Sequence, residues 1–165
     1  MTIGSVITAM IETLQGNLHE IEHMLKVYGY AKAIGEEENL DVATQRILEI
    51  AAVVHDIGIP FAMEKYGNDA GPYQEELGPG AARPLLEKLG CDEVTIDRVC
   101  YLVGHHHTTN NVDGIDYRIL LEADFLVNLY EDDEPPAARK RAYEVIFRTE
   151  TGKQLCEQLY PEVLN

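Results

Sequence analysis

Cysteine and long apolar runs are scarce in this sequence, and each shortage excludes a class of protein. The three cysteines, Cys91, Cys100 and Cys156, are odd in number and have no CxxC spacing, so they predict neither a disulfide framework nor a zinc knuckle. No apolar run approaches the roughly 18 residues that span a bilayer. The N-terminal stretch MTIGSVITAMIETLQ lacks the basic start of a signal peptide. We therefore expect a cytoplasmic protein with no membrane partner.

Basic residues are also scarce. Lysine and arginine total 13 against 29 aspartates and glutamates, which gives a formal net charge of −16. Such a surface repels polyanions, so duplex DNA or RNA is not an expected partner. The negative charge does not exclude a small phosphorylated substrate, because a bound metal ion can reverse the sign of the local electrostatic field.

What the sequence does contain is helical periodicity along its whole length. The 165 residues, 45% hydrophobic and 25% charged, suit one domain with a sizeable core. No segment alternates as a strand would. We predict an all-α fold in a single compact helical bundle over residues 1–165, with a core over about 17–130 and C-terminal helices over 135–160. The predicted helices are 4–14, 17–34, one from Asp41 to about His55, 79–89, 92–104, one over YRILLEADFLVNLYEDDE, 135–147 and 151–159.

The central stretch is ILEIAAVVHDIGIP, residues 47–60. Its apolar residues cover nearly every side of a helix, as expected of an element buried at the centre of a helical domain. His55 and Asp56 follow, and Gly58 and Pro60 then end the helix. An imidazole and a carboxylate at the mouth of a buried helix need a metal ion, a proton network or an opposite charge as partner.

The stretch from 58 to 78 mixes glycines, prolines and polar residues. We predict that it is irregular. Connections of this length in a compact domain are more often functional than incidental, so it is a candidate lid over His55 and Asp56.

Two other helices carry candidate ligands. His23 and His19 are four residues apart and share a helix face. Asp124 sits in the apolar run LLEADFLV, where an unpaired carboxylate would cost several kcal/mol. A divalent cation would satisfy it together with His23, His55 and Asp56. Mixed nitrogen and oxygen ligands suit Mn, Fe, Co, Ni or Zn; the alternative is that each of these side chains is packed and satisfied separately.

The order His23, His55–Asp56, Asp124, with HDIG at the second element, resembles the HD-domain superfamily of metal-dependent phosphohydrolases. The resemblance covers about residues 17–130. It implies an all-helical fold, a metal ion held by those four residues, and hydrolysis of a phosphoester, often in a nucleotide.

The resemblance also suggests further ligands for a second ion. Some HD proteins carry additional histidines, one of which precedes a Gly–Ala helix start. Here GPGAARPLLEKLG is similar to that start, and Glu76 stands near the histidine's position. His105 and His106 resemble the paired histidines that follow in those families. His107 precedes a polar turn and is expected to be exposed.

Two named subfamilies do not fit. Hydrolases of guanosine tetraphosphate resemble HDxxED, and this chain lacks the acidic pair. The HD-GYP phosphodiesterases have a lysine three positions after the aspartate and a GYP tripeptide. Here Ile59 takes the first place, and the residues from Asp113 to Asp116 take the second.

These observations predict a metal-dependent hydrolase of a small phosphorylated molecule, with one or two ions. Asp56 is the natural bridging ligand, and His105 or His106 is the candidate to neutralise charge or donate a proton. Lys65 and Arg83 are candidate phosphate contacts, with surface ion pairs as the alternative role. The alternatives for the whole protein are a mixed-valent di-iron oxygenase on the same scaffold and a sensor that binds a nucleotide or metal without turnover. The sequence is compatible with a homodimer as well as with a monomer.

Overall fold

The secondary structure of the chain is entirely helical, as predicted. A computed structural model describes all 165 residues and contains no strand. The elements in chain order are α1 (Ile3–Thr13), α2 (Leu18–Glu37), α3 (Val42–Val54), α4 (Ile59–Tyr66), α5 (Gly71–Lys88), α6 (Glu93–Val103), α7 (Ile115–Glu131), α8 (Pro136–Val145), α9 (Glu150–Leu159) and a final 3₁₀ turn, Pro161–Leu164. No helix is both long and apolar enough to cross a bilayer.

Helix α3 is the central element. Asp41 caps its N-terminus by accepting from the backbone N–H groups of Ala43 and Thr44. Every residue from 48 to 54 is buried, and the helix packs against α1, α2, α6 and α7. The predicted central helix is therefore confirmed, and it delivers His55 to the interior of the bundle.

Helices α2 and α7 flank α3 and pack against each other. Helix α2 begins after Asn17, as predicted, but it continues to Glu37 past the expected stop at Gly35. Gly35 faces the side-chain amide of Gln45 on α3, and a Cβ on this residue would displace that amide.

The prediction that residues 58–78 are irregular is wrong. Two helices occupy most of that stretch, α4 and the first part of α5. Helix α5 was expected to begin near Pro79 and begins at Gly71. The two helices pack against each other, so this stretch forms a helical wall beside the site where a loose lid was expected.

The error has a physical reason in the positions of the prolines. Pro60 and Pro72 both lie in the first turn of their helices, where a missing N–H costs no hydrogen bond. Gly67, with a φ of 74°, ends α4 in the left-handed conformation. Pro79 and Pro84 lie inside α5 and remove two of its internal bonds. The glycines and prolines of this stretch suggest that helices break there, but most of them stand at helix ends, where they are compatible with a helix.

The C-terminal helices are joined to the core by a buried carboxylate. Glu122 of α7 is fully buried and accepts hydrogen bonds from the backbone N–H groups of Arg148 and Thr149 and from the Thr149 hydroxyl. Burial raises the pKa of Glu122. This side chain therefore fixes the connection between α8 and α9 against the central bundle.

Candidate metal centre

Four predicted ligands converge at one end of α3. His23 comes from the second turn of α2, His55 and Asp56 directly follow the end of α3, and Asp124 comes from the middle of α7. All four are at least nine-tenths buried. The Nε2 atom of His23 lies 3.2 Å from the Nε2 atom of His55, 3.3 Å from Asp56 Oδ2 and 3.2 Å from Asp124 Oδ1. His55 Nε2 lies 3.3 Å and 3.6 Å from the same two oxygens.

Outer partners fix which nitrogen of each histidine faces the centre. The Nδ1 atom of His23 lies 2.8 Å from Glu131 Oε2, and that of His55 lies 2.9 Å from the Ala52 carbonyl oxygen. Both partners only accept, so both Nδ1 atoms must donate. Each neutral ring then turns the bare lone pair of Nε2 inward, which is the usual orientation of a metal-binding histidine.

The centre therefore gathers acceptors with no donor between them. Two imidazole nitrogens and two carboxylate oxygens face one point, an arrangement that only a proton or a cation can stabilise. Without a metal ion, protons take that place. Burial lowers the pKa of His55, but Asp56 and Asp124 more than offset this and raise it well above its ordinary value. Burial raises the pKa of Asp56, but His55 and His106 more than offset this and hold it well below its ordinary value.

The chemistry of these four atoms, and their spacing around the two imidazole nitrogens, fit a divalent transition metal. Neighbouring ligands at roughly 2.0–2.2 Å from one ion, at tetrahedral or octahedral angles, stand about 2.8–3.6 Å apart. The two imidazole nitrogens lie 3.2 Å apart, and their separations from the two carboxylate oxygens run from 3.2 to 3.6 Å. Two nitrogens with two oxygens is also a donor set that Mn, Fe, Co, Ni and Zn accept.

A second group of potential ligands adjoins the first and shares Asp56. The Oδ1 atom of Asp56 lies 2.9 Å from His106 Nε2. The Nδ1 atom of His106 donates to the Val103 carbonyl oxygen at 2.7 Å, so its contact with Asp56 needs a second proton on the ring or a cation between the two. A nitrogen of His107 lies within 4.8 Å of both partners. The two carboxylate oxygens of Asp56 therefore face different groups.

The turn that carries His55 and Asp56 is held by a backbone contact. A Cβ on Gly58 would lie 2.9 Å from the Cα atom of Gly78 on α5. Ile57, between Asp56 and Gly58, is fully buried. The glycine of HDIG thus lets α5 pack directly on the turn, which fixes Asp56 between the two groups.

Two predicted ligands lie elsewhere. His105 is stacked on Tyr101, with its Nδ1 atom 2.7 Å from the Tyr101 carbonyl oxygen, and it does not join either group. Glu76 is on the surface, where Lys65 and Tyr66 donate to it at 2.8 Å. The structure therefore does not bring His105 or Glu76 to the centre.

The other candidate contacts form surface ion pairs. Lys65 is paired with Glu76, and Arg83 with Glu93 and Asp97. His19 is exposed. None of the three is among the clustered ligands.

Sequence reasoning missed His107 and the outer partner Glu131. His107 is exposed, as predicted, yet one of its ring nitrogens joins the second group. Partial desolvation of the ring, with His106 nearby, lowers the pKa of His107. Glu131 follows Asp124 by two helical turns and so lies on the same face of α7, a spacing that could have identified it.

Comparisons with known proteins identify the family and agree with the all-helical fold. A family profile described as "HD domain" matches residues 21–143. The structure is similar to the crystal structure of a predicted HD superfamily hydrolase from an uncultured Thermotogales bacterium, with a TM-score of 0.69 and 24% identity, over 96% of this chain and 85% of that one. No curated protein sequence matches. The chain belongs to the HD domain family, whose members are generally metal-dependent hydrolases.

Proposed function

We propose that this protein is a metal-dependent hydrolase of a phosphomonoester or phosphodiester in a small molecule, with a nucleotide as the leading substrate. The observation that supports this is the convergence of His23, His55, Asp56 and Asp124, four buried acceptors with no donor among them. One ion would be held by these residues. A second would be held by Asp56, His106 and His107.

Bound divalent ions would polarise a phosphoryl oxygen and lower the pKa of a bound water to supply the nucleophile. The residues of the chain prepare the site for this chemistry. Asp56 presents one oxygen to each group. The carbonyl oxygens of Ala52 and Val103 hold His55 and His106 with Nε2 toward the centre, so little reorganisation is needed when the ions bind.

The net charge of −16 supports a small substrate over a nucleic acid duplex. A polyanion would meet repulsion over the whole surface, whereas a single phosphoryl group needs a favourable field only at the ions. The cations predicted to contact phosphate, Lys65 and Arg83, are already paired with carboxylates. The ions therefore provide the positive charge in this proposal.

Adjacent histidines provide a matched test. We expect His106→Ala to reduce hydrolysis of p-nitrophenyl phosphate or its diester, in the presence of Mn, Co, Ni, Zn or Mg, by about 100-fold or more. His105→Ala should stay within about threefold of wild type, because that ring is stacked on Tyr101 outside both groups. Equal losses in both variants, or no hydrolysis by wild-type protein under any of these ions, would contradict the proposal.

A second candidate function, the di-iron oxygenase, is favoured by one observation: Asp56 links two ligand groups. The hypothesis also rests on the number of histidines and on Glu76 as a possible extra ligand, but Glu76 is paired with Lys65 on the surface. Iron content and oxygen consumption with an organic substrate separate the two functions. Activity with Mn or Ni and no oxygen uptake would exclude the oxygenase.

A further inference from the structure

We propose that Gln74 of α5 is a positioning residue that fixes the tautomer of His107 and leaves its Nδ1 atom free to bind the second ion. The role of that ion rests on the proposed function. The tautomer itself rests only on hydrogen bonds within the chain and can be tested without metal.

The orientation of the Gln74 amide is set from one side. Its nitrogen, Nε2, lies 2.6 Å from the backbone carbonyl oxygen of Asp69. A carbonyl oxygen can only accept, so the NH₂ group of Gln74 must face Asp69 and the amide oxygen must face the other way. Gln74 is 7% exposed, which leaves little room for the reversed amide.

The amide oxygen in turn sets His107. Gln74 Oε1 lies 3.1 Å from His107 Nε2, and an oxygen that accepts there requires a proton on Nε2. The neutral ring then carries its lone pair on Nδ1. A nitrogen of His107 lies within 4.8 Å of Asp56 and His106 ligand atoms, and Nδ1 is the one available to a cation.

The first turns of α5 hold the rest of His107 as well. A Cβ on Gly71 would lie 3.0 Å from the ring atom Cγ of His107, so the ring packs directly on the helix backbone. Glu75 Oε1 accepts from the His107 backbone N–H at 3.0 Å and from the Thr108 hydroxyl at 3.0 Å. Helix α5 contributes no ligand, yet it fixes the position of one.

Neighbouring His106 shows the opposite arrangement, which makes the inference specific. His106 donates from Nδ1 to the Val103 carbonyl oxygen and faces Asp56 with Nε2. His107 donates from Nε2 and keeps Nδ1 bare. Two consecutive histidines therefore have opposite tautomers, and a side chain outside the ligand group determines the difference.

Ring ¹⁵N chemical shifts of the metal-free protein at pH 8 test the tautomer directly. We expect His107 of the wild type to be protonated on Nε2. Gln74→Met, which has a similar shape and no acceptor, should give a mixture of tautomers. Gln74→Glu keeps an acceptor at this position and should retain the Nε2–H form of His107. It is the variant to measure if Gln74→Met does not fold. Protonation of wild-type His107 on Nδ1, or an unchanged tautomer in Gln74→Met, would overturn the inference.

Titration with Mn²⁺ or Zn²⁺ then tests the consequence. In Gln74→Met we expect the affinity for the second ion to fall about 10- to 100-fold, the range typical of outer-shell partners, while the first ion binds as in wild type. Gln45→Met is the matched control. It removes a partly buried glutamine ten residues before His55, about 15 Å away along the helix, and should change neither affinity. An unchanged second-ion affinity in Gln74→Met would overturn the inference.

The outcomes separate this inference from the proposed function. If both ions bind with the predicted difference between wild type and Gln74→Met but no phosphoester is hydrolysed, the reaction is wrong and the role of Gln74 stands. If hydrolysis is found and His107 carries its proton on Nδ1, the reaction stands and the role of Gln74 is wrong.

Discussion

Glu131 provides the sharpest test of how the first ion is held, because it touches the site only through His23. Its carboxylate is 2.8 Å from His23 Nδ1, and its side chain is 9% exposed. Glu131→Gln keeps the shape and an oxygen that accepts from Nδ1. It removes the negative charge that makes the imidazole a stronger donor to a metal ion.

The size of the expected effect follows from the second partner of Glu131. Lys26 Nζ lies 2.9 Å from the other carboxylate oxygen and offsets part of its charge. We therefore expect a loss at the lower end of the 10- to 100-fold range of outer-shell substitutions, about tenfold, or about 1.4 kcal/mol.

Calorimetric titration of metal-free protein with Zn²⁺ or Mn²⁺ measures this loss. Lys26→Gln is the control, since its side chain is 49% exposed and its removal leaves the carboxylate beside His23 intact. We expect a change of less than about threefold in that variant. A Glu131→Gln protein that binds as tightly as wild type, or a Lys26→Gln protein that loses as much, would refute the reasoning.

Three further predictions concern stability. Glu122→Ala leaves three donors without their buried acceptor and should lower the free energy of unfolding by about 2–4 kcal/mol in urea titrations; a loss below about 0.5 kcal/mol would argue against its anchoring role. Gly58→Ala places a methyl group against the Gly78 backbone and should lower the free energy of unfolding by about 1–3 kcal/mol. Gly80→Ala, whose methyl group meets open space on α5, should leave the free energy of unfolding unchanged or raise it by up to about 1 kcal/mol. Equal urea midpoints for the two variants would contradict the packing of Gly58 on Gly78. Burial raises the pKa of the Cys156 thiol to about 12, above its value in the unfolded chain. The contribution of the thiol to the free energy of unfolding is therefore complete below about pH 8.5 and is lost as the pH rises toward 12. The urea midpoint should fall between about pH 8.5 and 10.5, and it should fall less in Cys156→Ala.

The sequence predicts the centre well where local pattern determines it. The apolar run before His55 shows that α3 is buried, and a carboxylate inside the apolar run of α7 shows that Asp124 must have a partner. Both inferences depend on burial, which periodicity reveals. The prediction of an all-helical fold rests on the same signal and is confirmed.

Orientation within a short turn is what periodicity does not reveal. Helix α6 ends at Val103, and the three following histidines leave it in different directions. His105 stacks on Tyr101, and His106 and His107 turn toward Asp56. Which of them faces the site depends on the turn after Gly104 and on α5, which packs against α6. Because residues 58–78 were expected to be irregular, the sequence did not predict the first part of helix α5, whose packing orients these histidines.

Metal content per chain is the most direct test of the central claim, measured by elemental analysis of protein purified without chelator. We predict one to two equivalents of a divalent transition metal in the wild type. Asp56→Ala should bind little or none, because Asp56 belongs to both ligand groups. A wild-type protein that stays metal-free after reconstitution, or an Asp56→Ala protein that retains the full complement, would contradict the account.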